Sequence, residues 1–151
     1  MSLKPYNYLK ERGNYMAFIF YNENPDDLRV GDCVVRAIAK AEDMSWYDTY
    51  IDICAQGMEM SDMPDSNRVW MAYLKDIGYK LTLLPSTCPT CYTIADFCKD
   101  YPTGTYLVAT GSHIVCVING NLFDTWDSSI EIPIYYFVKE NNDGDSVSNV
   151  Q

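Results

Sequence analysis

Three residue types in this chain, set far apart, supply the groups of nucleophilic acyl chemistry. Cys33 follows Gly31-Asp32 at the start of an apolar run, and the single histidine, His113, is followed by Asp124. A thiolate attacks, an imidazole moves the proton, and a carboxylate orients the ring. His113 and Asp124 flank Asn119-Gly120, the strongest short hairpin signal, because a type I′ turn needs positive φ at both central residues. With that pair as the loop, Ile118 faces Asn121, Val115 faces Asp124 and His113 faces Trp126. Side chains alternate along a strand, so His113, Val115, Leu122, Asp124 and Trp126 share one face. Asp124 is then a diagonal neighbour of His113, roughly 7–8 Å away, within reach of two side chains that turn toward each other. Asp127 falls on the other face, where it caps a turn at Ser128-Ser129.

Six cysteines compete for the nucleophilic role: Cys33, Cys54, Cys88, Cys91, Cys98 and Cys116. Position favours Cys33. In the first turn of a helix, free backbone N–H groups and the macrodipole favour an anion. Such a setting beside a histidine lowers a thiol from about 8.5 into the range of about 3.5–7.5. The Cys33 backbone N–H is also an oxyanion donor, and Gly31 lets a backbone approach closely. Cys54 lies in mid-helix, and Cys116 lies on the hairpin face opposite His113. Cys88-Pro-Thr-Cys91 with Cys98 offers three thiolates, one fewer than a structural zinc site needs. We therefore expect metal-free loop thiols there, with no metal ligand and no cofactor.

The elements that must position these groups read as follows. Tyr15–Tyr21 is a strand and Asn22–Val30 a loop broken by Pro25. A helix opens at Cys33 with Asp32 as N-cap and carries a stripe of Val34, Val35, Ile38 and Ala41, with Arg36 and Lys40 off that stripe. A second helix starts at Ser45, buries Trp46, Tyr50, Ile53 and Cys54, and ends near Gly57. A third runs from about Ser66 to Ile77, buries Val69, Trp70, Tyr73 and Leu74, and is stopped by Gly78. Tyr79–Leu84 is a strand, Thr93–Asp100 a short helix capped by Thr93, Thr105–Thr110 a strand, and Ile130–Lys139 the last strand. Helices followed by consecutive strands make an α+β fold in which N-terminal helices pack on an antiparallel sheet. The organisation is a loosely ordered start at 1–14, one domain at 15–139 and a disordered tail at 140–151.

The 151 residues suffice for one substantial core. A net charge of −10 argues against nucleic acid and anionic membranes as partners and is compatible with a basic one. No stretch has the length and apolarity of a signal peptide or a membrane span, so a cytoplasmic location with reduced thiols is expected.

A Cys opening a buried helix, then a strand His, then a carboxylate on the next strand resembles the papain-like cysteine peptidase superfamily. GDCVVRAIAKA and GSHIVCVINGNLFDTWDSS are similar to segments of small papain-fold proteins of bacteriophages and prophages. The resemblance implies Cys33 as nucleophile, His113 as general base and then acid, and Asp124 as the orienting residue. The family's glutamine six residues before the Cys is Asp27 here, and an ionised carboxylate cannot donate. Asn22 or Asn24 in the same loop is the expected substitute, with Asn24 preferred. The implied activity is cysteine peptidase or amide hydrolysis through a thioester, on a peptide or protein substrate. Acyl transfer of the transglutaminase kind, deamidation, and a catalytically silent phage-borne interaction protein are the alternatives.

Overall fold

The computed structural model describes residues 16–140, and the readings made for 1–14, Tyr15 and 141–151 lie outside the described residues. Among the described residues the chain forms β1 (Phe18–Phe20), α1 (Cys33–Glu42), α2 (Trp46–Met60), α3 (Asn67–Asp76) and β2 (Tyr79–Leu83). There follow α4 (Ile94–Asp100), β3 (Thr105–Ala109), β4 (Ile114–Ile118), β5 (Asn121–Asp124) and β6 (Tyr135–Lys139). This is a mixed α+β architecture around one six-stranded sheet of order β1-β5-β4-β3-β6-β2. The sheet is not wholly antiparallel as expected: β1 joins β5 in parallel, with Phe20 opposite Asp124. A parallel neighbour needs a long crossover, and here α1 to α4 and the central strands all intervene.

The central strands, TYLVA and IVCVI, are apolar on both faces because both faces are covered. On one, α1, α2 and α3 bring Ile38, Ile53, Trp70 and Leu74 against Leu107, Cys116 and Phe137. On the other, Ile94, Phe97 and Cys98 of α4 meet Val108, Val115, Val117 and Leu122. The short α4 opens with a reciprocal capping box between Thr93 and Asp96, as its sequence predicts.

One helix boundary and one burial assignment, both in α2, differ from the sequence reading. Gly57 does not end α2, which runs on to Met60 and stops at Ser61 in the left-handed region. Instead Gly57 is the place where the next loop packs down, since a Cβ there would stand 2.8 Å from the Asp62 carbonyl oxygen. Tyr50, expected inside, is 43 % exposed, while Thr49 takes the buried position. No helix among the described residues is long and apolar enough to cross a membrane.

The β4–β5 hairpin has the expected register, with Ile118 opposite Asn121 and Val117 opposite Leu122. Asn119 and Gly120 have φ of 50° and 74°, both positive as the two-residue turn requires. Gly120 is fixed a second time by packing, because a Cβ on it would lie 2.9 Å from the Cys98 carbonyl oxygen of α4. Gly120→Ala should therefore destabilise the protein by about 2–3 kcal/mol, combining left-handed strain with displacement of α4. Urea denaturation of the two proteins measures this, and an unchanged midpoint would contradict the turn as described.

Candidate active site

The site forms at the sheet end where β3 and β5 finish and β4 and β6 begin. His113 immediately precedes β4, and its backbone is held in the connecting turn. There Thr110 N–H donates to the His113 carbonyl at 2.8 Å, and His113 N–H donates to Thr110 Oγ1 at 3.1 Å. Asp124 is the last residue of β5. Cys33 is the first residue of α1, whose start lies beside these strand ends. The three residues singled out by type and order thus come together.

His113 Nε2 and Asp124 Oδ2 are 2.7 Å apart. With Nε2 engaged, Nδ1 is the ring nitrogen left for Cys33. Asp124, 2 % exposed, is held on all sides: Oδ2 also accepts from Ser128 Oγ at 2.7 Å. Its Oδ1 accepts from the Thr125 backbone N–H at 2.7 Å and from Arg36 Nη1 at 3.1 Å. Burial alone would raise this carboxyl, but the His113 and Ser128 hydrogen bonds outweigh it and hold the group below the usual carboxylate range. Asp127 turns away and accepts from the Ser129 backbone N–H at 3.1 Å, the turn-capping role predicted for it.

Burial opposes ionisation of Cys33, yet its thiol is lowered overall by hydrogen bonding to His113, by the Ile114 backbone N–H and by the charges of His113 and Arg36. Burial likewise pulls His113 down, and the hydrogen bonds to Asp124 and Cys33 reverse this and push it up to about 9. The opposite shifts, sulfur down and imidazole up, both favour the charged form of the pair over the neutral one. The indole of Trp126 lies over the imidazole, 5.3 Å between ring centroids at 31°.

The helix start is unusual in its capping. Asp32 is the N-cap residue but its side chain makes no cap hydrogen bond. Its carboxylate is turned away to accept from Arg36 Nε at 2.7 Å, Trp46 Nε1 at 2.9 Å and Asn24 Nδ2 at 3.4 Å. The backbone N–H groups of the first turn, Cys33 among them, keep the donor capacity that a capping side chain would consume.

Asn24 does not reach the cleft. Its Oδ1 accepts from the backbone N–H groups of Asp26 and Leu28, both at 3.1 Å, and its amide donates to Asp32. It ties the loop before α1 to the helix start, so the sequence assignment of an oxyanion donor there is not what the geometry provides. The residue that sequence reasoning missed is Arg36. Placed only off the apolar stripe by its spacing, it is 7 % exposed and bridges Asp32 and Asp124. An i,i+4 Asp-Arg pair was the available signal, but its long-range partner, 88 residues away, leaves no trace in local spacing.

Comparison with known proteins adds no identity. No protein-family profile, curated protein or solved structure matches this chain.

The remaining cysteines lack these surroundings. Cys98 and Cys116 are each pushed up to about 12 by burial. Cys88 and Cys91 lie in a loop, and a hydrogen bond between them raises Cys91. Among the described residues, no group of three or more His, Cys, Asp or Glu side chains is placed to hold a metal ion.

These contacts lead to three predictions. Limiting iodoacetamide at about pH 6 should label Cys33 before any other thiol, read by peptide mass mapping, and faster labelling of Cys88 or Cys91 would contradict the assignment. Asp124→Ala should pull His113 down from about 9 and slow Cys33 alkylation near neutral pH, whereas Asp127→Ala should leave the pH profile in place. Arg36→Lys keeps one charge but not the two-armed bridge. It should raise the Cys33 thiol, moving the acid limb of alkylation to higher pH, and lower the unfolding midpoint.

Proposed function

We propose that the protein is a cysteine hydrolase of papain-like type that cleaves amide bonds in polypeptide substrates through a Cys33 thioester. The observation that carries this reading is the joining of Cys33, His113 and buried Asp124, with Cys33 and His113 lining two cavities at once. One, of about 440 Å³, extends past Trp46, Tyr50 and Trp70. The other, of about 470 Å³, extends past Arg29, Thr125 and Trp126. Both include Cys33 and His113 in their walls. A cleft that continues on either side of the reacting sulfur suits a substrate that continues on either side of the bond broken, such as an internal peptide bond or an isopeptide.

The chemistry runs as follows. Cys33 Sγ, as thiolate, attacks the carbonyl carbon, and the developing oxyanion lies beside the uncapped first turn, where the Cys33 backbone N–H donates. His113 Nδ1 gives its proton to the departing amine as the C–N bond breaks, leaving a thioester. Water then attacks the thioester, losing a proton to His113, and the acid product leaves with the thiol regenerated. Asp124 keeps Nε2 protonated and the ring in place throughout, and Arg36 and Ser128 keep Asp124 ionised and fixed.

The test compares wild-type protein with Cys33→Ala in a cell lysate, reading new peptide termini by mass spectrometry. Termini formed only by the wild type, and abolished by His113→Ala, are the expected result. Incorporation of a labelled amine in place of water would turn the reading to acyl transfer on the same residues. Equal termini patterns in the presence of a reactive Cys33 would sink hydrolysis altogether.

A further inference from the structure

The two lobes of the cleft differ in charge as well as shape. The larger wall of the first is apolar and aromatic, made by Trp46, Tyr50, Ile53, Trp70 and Tyr135. Trp46 and Tyr50 stack at 4.9 Å with 8° between their planes. Two carboxylates line this lobe. Asp32 is neutralised by Arg36, but Asp65 has no ion-pair partner among the described residues. No lysine or arginine lines the lobe, whereas the second lobe carries Arg29, which also lacks an ion-pair partner among the described residues. The bias extends beyond the cavity. From Ala41 to Asn67, the stretch holding α2 and the loop that bears Asp65, there are seven acidic residues and no basic one.

From this we infer that the lobe lined by Trp46, Tyr50 and Asp65 is a subsite for a lysine or arginine side chain of a basic polypeptide substrate. This rests on the amide-hydrolase reading of Cys33. The stem of such a side chain is apolar and packs on the aromatic wall, while its charged end needs a partner and remains near water. Ring faces attract a cation, and Asp65, exposed at the loop before α3, supplies the opposite charge. A neutral apolar side chain would fill the lobe and leave Asp65 unmatched. An acidic one would face Asp65 and the acidic stretch without a cation to receive it. Arg29 on the far side disfavours a cation in the second lobe, so the charge asymmetry also fixes which way the substrate lies.

The experiment separates binding from turnover. Cys33→Ala protein is titrated calorimetrically with Ala-Ala-X-Ala-Ala amides in which X is lysine, norleucine or glutamate. The lysine peptide should bind about three- to tenfold more tightly than its norleucine counterpart at low salt. The glutamate peptide should bind most weakly. Asp65→Asn should bring the lysine and norleucine affinities together, and Asp65→Glu should restore the gap. Norleucine binding as tightly as lysine, a gap indifferent to Asp65→Asn, or no lysine binding at millimolar peptide would each overturn the subsite. Cleavage of the same peptides by the wild type is followed in parallel. Turnover without a lysine preference leaves the hydrolase reading standing and removes this one. A lysine preference governed by Asp65 without turnover by the wild type does the reverse.

Discussion

A buried guanidinium holds this site together. Arg36 lies between Asp32 on its own helix and Asp124 at the end of β5, with all three side chains almost wholly out of water. Two carboxylates so placed would repel one another and each lose hydration without return, and the cation between them offsets both costs. The pairing also has a mechanical result. Asp32 precedes Cys33 and Asp124 holds the imidazole, so one side chain ties together the two halves of the candidate machinery. Removing it would expose both halves to separate motion as well as to uncompensated charge.

The same bridge explains why α1 begins without a side-chain cap. An aspartate at an N-cap position ordinarily satisfies a first-turn N–H and by its charge opposes a second anion nearby. Here that charge is drawn to Arg36 and to the Trp46 indole, on the side away from the first-turn amides. The helix gives up local stability, and its free amides become available to the sulfur and to an oxyanion. Trp46 belongs to both arrangements, since it donates to Asp32 and lines the apolar lobe.

Local chemistry made much of this legible from residues alone. Asn119-Gly120 fixed the hairpin register, and through it the meeting of His113 with Asp124, because a two-residue turn with positive φ leaves little choice. Thr93 with Asp96, and Gly78 after α3, marked boundaries that depend on neighbours a few residues away. What could not be read depends on partners distant in sequence. Arg36 looks like a surface residue by periodicity, and its burial makes sense only beside Asp124. Asn24 has the right chemistry for an oxyanion donor and is used instead to fasten its own loop. Gly57 carries the composition of a helix stop, but its role is to admit the Asp62 carbonyl. The apolar run that holds β1 reads as a strand, while its place beside β5 follows from no local pattern.

That placement bears on the order in which the site can come into being. Phe20 pairs with Asp124, and Cys33 owes its altered acidity chiefly to His113, which Asp124 holds. During synthesis the cysteine leaves the ribosome long before the hairpin does. Contacts this remote in sequence form late, since the intervening chain must first be ordered. An incomplete chain therefore carries Cys33 as an ordinary thiol, without the imidazole that would ionise it. The surroundings that lower this thiol thus come with the sheet rather than with the helix that carries it.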